Sequence, residues 1–257
     1  MSVYVIAFIT GALIGSFLNV CIYRIPRSES IVYPASRCTS CGNPIAPWDN
    51  IPIVSYLILG GRCRHCSQRY SALYPLVETL NALLYTAVLW RFGPVWSSLV
   101  FCIFVSSLIV ITFIDLEFQI IPDRITLPGI PLGLLAGALL LPDPFMRAAD
   151  LGIVSSLVGL LAGGGMFYLV AVLSRGGMGG GDIKMMAMVG ALTGWKAVLL
   201  TTFIGSLTGS VIGIFLMVFR GKGRKTKIPF GPFLAFGSLV TLFFGQEILM
   251  WYLYLHK

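Results

Sequence analysis

The sequence predicts an all-α polytopic membrane protein with about eight transmembrane helices and one small polar subdomain between helices 1 and 2. Three observations carry this. The 257 residues are 57% hydrophobic and only 11% charged, and a mean hydropathy of +0.89 is far above that of a soluble domain. Apolar runs able to cross about 30 Å of hydrocarbon, which takes about 20 helical residues, recur along nearly the whole chain. A single sizeable polar interruption, between Arg24 and Tyr70, breaks the series.

The predicted spans cover 3–22, 73–91, 95–114, 125–141, 151–173, 183–194, 197–219 and 230–252. The first has no basic residue ahead of it and no small-residue cleavage site behind it, so it is expected to stay as a helix rather than be removed as a signal. Eight crossings put both termini on one side. The connection after the first span holds Arg24, Arg27, Arg37, Arg62, Arg64 and Arg69, and the positive-inside rule places it in the cytoplasm, with both termini outside. Arg124, Arg175, Lys184, Arg220, Lys222, Arg224, Lys225 and Lys227 then also fall inside, leaving only Arg91, Arg147, Lys196 and Lys257 of the 18 basic residues outside. The sixth span is short, 12 residues or about 18 Å of helix. It is kept as a crossing because a re-entrant segment would move the cluster at 220–227 outside, and Gly194 is expected to turn the chain after it. The net charge of +8 does not argue for nucleic acid, because the basic residues sit in short connections where they act as topology signals.

Cys38-Thr39-Ser40-Cys41 and Cys63-Arg64-His65-Cys66, separated by 21 residues, match the ligand spacing of a four-cysteine zinc site. A pair of disulfides is the rival reading, which a reducing cytoplasm disfavours. His65 is an alternative ligand, although a His beside a ligand cysteine is commonly just exposed. Four thiolates close the coordination sphere, so such a zinc is structural and offers no open position for hydrolysis. Cys21 and Cys102 lie in apolar runs and read as small buried hydrophobes.

Ionisable groups in or beside membrane spans are costly, so each needs an explanation. Asp115 closes the third span, and Asp182 opens the sixth after Gly176-Gly177-Met178-Gly179-Gly180-Gly181; both belong to the cytoplasmic edge. Two carboxylates a few ångströms apart cannot both ionise easily, so one holds a proton. Peptide hydrolysis needs that division: the ionised partner draws a proton from water, and the protonated one polarises the scissile carbonyl and later protonates the leaving amine. Gly179 and Gly181 would let an extended substrate approach the backbone. The plainer readings are an N-cap for Asp182 and a turn residue near Pro122 for its partner's segment.

These residues carry a family resemblance. Gly15-Ser16-Phe17-Leu18-Asn19-Val20 with Arg24-Ile25-Pro26, the two cysteine pairs, Gly60-Gly61-Arg62-Cys63, Tyr74-Pro75-Leu76-Val77-Glu78, Ile114-Asp115 through Pro122-Asp123, and Gly179-Gly180-Gly181-Asp182-Ile183-Lys184 together resemble the type IV prepilin peptidases, membrane aspartyl proteases of the Gly-x-Gly-Asp group. The resemblance spans nearly the whole chain and departs from the family pattern at Thr39, where Pro is frequent. It implies that Asp115 and Asp182 are the catalytic pair, and that the substrates are prepilins or pseudopilins cut after the Gly of a short basic leader. It also implies methylation of the new N-terminus from S-adenosylmethionine, with the cofactor site unassigned, at the bacterial inner membrane. The domain division expected is 1–23 as first transmembrane helix, 24–72 as cytoplasmic zinc knuckle, and 73–257 as transmembrane aspartyl protease core.

Three further residues are candidate supports. Asp123 matches a recurrent family position, but the neighbouring Pro122 favours the plainer role of a loop or cap contact beside Arg124. Glu78, about six residues into the second span, is expected to be neutral, hydrogen-bonded or turned toward an interior cavity, facing substrate or cofactor. Lys184 points away from Asp182's face of the helix and is assigned to topology or lipid headgroups. The rival functions are a transporter or ion-coupled carrier using the carboxylates, and a non-enzymatic assembly factor docking through its knuckle.

Overall fold

The computed structural model describes residues 2–175, 177–220 and 228–255. Lys222, Arg224, Lys225, Lys227 and Lys257, on which part of the topology argument rests, lie outside them, as does Gly176 of the glycine-rich stretch. The elements in chain order are α1 (Ser2–Arg24), a short 3-10 turn (Pro47–Asn50), α2 (Val54–Ile58), α3 (Leu73–Phe92), α4 (Trp96–Phe118), α5 (Asp123–Leu139), β1 (Pro142–Asp143), β2 (Met146–Asp150), α6 (Gly152–Leu173), α7 (Gly180–Arg220) and α8 (Gly231–Leu255). Five of them, α1, α4, α6, α7 and α8, are long and apolar enough to cross a membrane, so the chain is a mostly helical membrane protein. α5 is 17 residues long and carries Pro128 and Pro131, while α3 holds Glu78, Asn81 and Arg91. Neither is among the five.

The chain divides into two units, residues 1–110 and 111–257, with the division inside α4. In the first unit α1 and α3 pack side by side. A chain of polar groups crosses the apolar interior: Asn81 Nδ2 donates to the Gly11 carbonyl at 2.7 Å, Ser106 Oγ donates to Asn81 Oδ1 at 2.9 Å, and Tyr85 Oη lies 3.1 Å from Ser106 Oγ. Buried polar groups need such partners, all the more in lipid. Between α1 and α3 the 25–72 segment is mostly loop, with two isolated bridges, Arg37 with Pro44 and Arg62 with Arg69.

In the second unit the first half of α7 is the core element. Met185, Met186, Met188, Val189 and Ala191 are all at most 2% exposed, in the stretch of α7 that packs against α5 and α6. The expectation of two spans, 183–194 and 197–219, is modified: the helix begins at Gly180 and runs to Arg220, broken only at Gly194, whose φ of 80° and ψ of 172° are non-helical. Leu151 Cδ1 lies 2.9 Å from where a Cβ on Gly194 would sit, so both dihedrals and space demand glycine there. Irregular backbone survives at that depth because protein surrounds it.

One correction to an all-α reading is an antiparallel hairpin, Pro142↔Asp150 and Asp143↔Met146. It is short and falls wholly within the connection between the predicted spans 125–141 and 151–173. Phe145 N donates to Asp143 Oδ1 at 2.8 Å, and Arg147 anchors the hairpin to α8 through the Phe243 carbonyl at 2.9 Å and Glu247 at 3.1 Å.

Candidate active site and metal centre

The four cysteines converge as their spacing predicts. Cys38 and Cys63 are buried, Cys41 and Cys66 exposed, and the four sulfurs lie within 4.8 Å of one another, with 3.8 Å between Cys38 and Cys66. Tetrahedral bonds of about 2.3 Å to sulfur require sulfur–sulfur edges of about 3.8 Å, so the set can hold a metal ion. Each loop is built the same way. Cys38 N donates to Asn43 O and Gly42 N to Cys38 O, both at 2.9 Å; Cys63 N donates to Gln68 O at 2.9 Å and Ser67 N to Cys63 O at 3.0 Å. The tight turn aims backbone N–H groups at the first sulfur. Those of Cys66 and His65 hold the Cys63 thiol down at about 6, and those of Cys41 and Ser40 lower Cys38. Thiolates are the metal-binding form, so this geometry prepares Cys38 and Cys63 as ligands. His65 is exposed and outside the cluster.

Asp115 and Asp182 are brought together within the second unit. Asp115 sits in the last turn of α4, 6% exposed, and its Oδ2 accepts from the Gly231 backbone N–H at 3.0 Å. That N–H is the first of α8, one of the donors a helix start leaves without an internal partner. Asp182 lies in the first turn of α7, its N–H donating to Gly179 O at 3.1 Å. The N-cap reading therefore fails: Asp182 is inside the helix, and its Oδ1 is buried with no hydrogen-bond partner. The Asp115 carboxylate is an electrostatic neighbour of Asp182, and Ile121 is packed against both supports. A Cβ on Gly181 would stand 2.7 Å from Ile121 Cβ, and one on Gly231 would stand 3.2 Å from Ile121 Cδ1 and 2.6 Å from Asp115 Oδ2. Gly179 would likewise place a Cβ 3.2 Å from Asp182 Oδ2. The arrangement presents two carboxylates over a floor of glycines, one oxygen still without a partner.

Asp123 and Lys184 take roles the sequence reading did not join. Asp123 opens α5, and Lys184 Nζ donates to both its oxygens at 2.7 Å. The lysine therefore ties the start of α5 to the start of α7 instead of standing free for lipid headgroups. Glu78 is in the first unit, 7% exposed, its Oε2 accepting from Ile53 N at 2.7 Å. Gly231, Ile121 and Ile53 were not singled out from the sequence. Only Gly231 carried a signal, a glycine between Phe230 and Pro232 at the head of an apolar run, where a helix start leaves an N–H free.

With that geometry in hand, two family models match the chain: the bacterial peptidase A24 N-terminal domain over residues 9–92 and the type IV leader peptidase family over residues 102–214. Among curated relatives, the prepilin leader peptidase/N-methyltransferase of Pseudomonas putida is 36% identical over 266 residues, covering 95% of this chain and 91% of the relative. That of Aeromonas hydrophila is 36% identical over 273 residues, with 96% and 93% covered, and that of Legionella pneumophila is 34% identical over 276 residues, with 97% and 94% covered. No solved structure is a significant match. At this identity over nearly the full length of both chains, the protein belongs to the type IV leader peptidase family.

Proposed function

We propose that the protein is a prepilin leader peptidase and N-methyltransferase of the bacterial inner membrane, with Asp115 and Asp182 as its catalytic pair at the cytoplasmic face. The observation that carries this reading is the meeting of the two carboxylates inside the segment matched by the leader peptidase family, one of them with an unpartnered buried oxygen. A prepilin's apolar helix would lie in the bilayer with its basic leader in the cytoplasm, so the bond after the leader Gly reaches the level of the acids. The topology has eight crossings and both termini outside.

The pair holds one proton between its two carboxylates. The ionised carboxylate takes a proton from water as its oxygen attacks the scissile carbonyl, and the protonated one donates a hydrogen bond to the carbonyl oxygen. The tetrahedral species collapses with its C–N bond breaking, and the proton passes to the leaving amine. Gly181 and Gly231 let Ile121 and Asp115 pack against their backbones, which holds the acids in place. S-adenosylmethionine, when bound, would supply the methyl group for the new N-terminal amine. Cys38, Cys41, Cys63 and Cys66 would hold a zinc ion that closes the 24–72 segment into a knuckle and takes no part in hydrolysis. The remaining 73–257 segment is the protease core.

The test is a prepilin cleavage assay on the detergent-purified protein, read by mass spectrometry for loss of the leader and gain of one methyl. The wild type cuts after the Gly, and Asp115→Asn and Asp182→Asn each stop it. Full-rate cutting by either variant would remove that residue from the catalytic pair; ion flux without any cleavage would instead make the acids a carrier's.

A further inference from the structure

The polar segment between α1 and α3 is apolar on its outside. In α2 the buried residue is Ser55, while Val54, Leu57 and Ile58, which share one face of the helix, are exposed, Leu57 to 72% and Ile58 to 76%. Nearby in sequence, Trp48 is 67% exposed and Val32 85%. Ser55 Oγ donates to Trp48 O at 2.8 Å and accepts from Ile51 N at 3.0 Å, which fastens the Trp48 turn to α2. A surface made for water has the opposite order, with the aliphatic side chains inside and the hydroxyl outside. Exposed apolar surface of this kind marks an interaction face.

The level of this face along the neighbouring helices identifies what it meets. Ile53 N, at the head of α2, donates to Glu78 Oε2 at 2.7 Å. Ile53 has φ 64° and ψ −54°, and Val54 N reaches back to Pro52 O at 2.6 Å, a γ-turn of the rare positive-φ form centred on a β-branched residue. Glu78 is the sixth residue of α3, about 7.5 Å along that helix from its start, and Leu76, Leu80 and Leu83 of the same stretch are exposed apolar residues. On the α1 side, Val32 and Pro52 border a pocket of about 270 Å³ whose other wall is formed by Leu13 and Phe17. Leu13 lies eleven residues before the end of α1 at Arg24, which is about 16 Å of helix. Since α1 is one of the spanning helices, the 25–72 segment folds back along the helices it joins instead of projecting into water. Its outer face is therefore continuous with the lipid-facing surface of α1 and α3.

The charge suits the same surroundings. Residues 25–72 hold five arginines and two carboxylates, and Asp49, one of the two, is taken by Arg64 at 2.6 Å. Arg37, Arg62 and Arg69 are exposed. Exposed aliphatic residues and a Trp, with arginines beside them, are the composition of segments that lie in the headgroup layer of an anionic bilayer.

We propose that α2, with the Trp48 and Val32 turns, lies in the headgroup layer of the bilayer, so that the segment bearing the knuckle is seated on anionic lipid. Which leaflet it occupies follows from the topology proposed above; the contact with lipid does not depend on it.

Two measurements on the full chain in phosphatidylglycerol–phosphatidylcholine liposomes test this. First, p-benzoylphenylalanine is placed at one position at a time: Leu57, Ile58, Leu83 as the lipid-facing reference in α3, or Gln68, which is exposed in a cysteine loop. Irradiation and mass spectrometry give phosphatidylglycerol adducts at Leu57, Ile58 and Leu83 and none at Gln68. Lipid adducts at Leu83 alone overturn the proposal, and adducts from Leu57 or Ile58 to protein, a second copy included, overturn it in favour of a protein-docking face. The second measurement uses the native side chain. The emission that separates the wild type from Trp48→Phe is lost when the acyl chains are brominated and survives acrylamide, a quencher carried by water. Loss to acrylamide with survival in brominated lipid places Trp48 in water and overturns the seating of its turn.

Discussion

The cysteine knuckle and the carboxylate pair reach comparable precision by opposite routes. Each half of the knuckle is written in one short loop: an Arg, two cysteines with two residues between them, a left-handed residue and a closing bridge, Arg37 to Pro44 in one and Arg62 to Arg69 in the other. The carboxylates have no such local frame. Asp115 is set by the end of α4 and by an N–H from α8, Asp182 by the start of α7, and Ile121 from the intervening loop is wedged between their supports. Local frames tolerate damage elsewhere but depend on what closes them. Convergent sites depend on the packing of several helices and on each other's charge.

The largest effect expected from that contrast is loss of the closing ion. Structural zinc contributes binding free energies of about 10–16 kcal/mol in small folded peptides. Stripping it with a chelator, or replacing Cys38 or Cys63 by Ser, lowers the bound metal to below about a tenth of the wild-type content. It also opens the 25–72 segment to protease, while the helices of the second unit keep their protection. A knuckle that stays closed with the metal fully removed would mean that loop hydrogen bonds alone hold it.

The carboxylates come next. Asp115→Asn or Asp182→Asn is expected to lower kcat by about a thousandfold or more, which is about 4 kcal/mol of barrier. Groups that share one proton act as a unit, so the double variant should be no slower than the worse single one. Losses that multiply would show two carboxylates working independently, and the convergent reading would be broken. Unchanged thermal unfolding of each variant separates this from misfolding.

This difference also governs what was legible in the sequence. The four ligand cysteines could be read from spacing because every ligand is fixed within its own loop. Helix positions were readable for the same reason, since a run of about 20 apolar residues announces itself without reference to any partner. Asp115 and Asp182 were visible as costly acids at span ends, but their supports were not. Gly231 N and Ile121 act through tertiary proximity and have no pattern of their own. The pairing of Asp123 with Lys184 was missed because each residue already had an adequate local reading, a cap and a topology charge. The β1–β2 hairpin was hidden by its shortness, and Ile53 by a backbone conformation that its residue type disfavours.

The Asp123–Lys184 pair sharpens the contrast further, because it belongs to the convergent region without being buried. The side chains are 39% and 53% exposed for Lys184 and Asp123, and a solvent-facing ion pair contributes about 0.2–1 kcal/mol. As a clamp on the starts of α5 and α7, it should matter only to that extent. Asp123→Asn is expected to slow cleavage by no more than about fivefold, and the exchanged pair Asp123→Lys with Lys184→Asp should recover most of the loss. Abolition of cleavage by Asp123→Asn, comparable to that of Asp115→Asn and without rescue by the exchange, would move Asp123 from support into the catalytic set.

The smallest effect tests whether the two cysteine loops are physically one design. Gly42 and Ser67 occupy the same place, immediately after the second cysteine, with φ of 73° and 57°. Glycine adopts this region freely, whereas an L-residue meets its own Cβ against the following carbonyl at a cost of about 1–2 kcal/mol. Part of any gain from glycine is returned through the looser unfolded chain. Ser67→Gly should therefore stabilise the metal-bound chain by about 0.5–1 kcal/mol, seen as a rise in unfolding temperature at fixed metal concentration. Gly42→Ser should destabilise it by a similar amount, since a Cβ there meets no atom within 4 Å and only the backbone is strained. Opposite signs at the two positions follow if both loops demand the same left-handed turn to aim N–H groups at sulfur. Equal signs would mean that Ser67 earns its place through its hydroxyl, and that the two halves share a shape without sharing its cause.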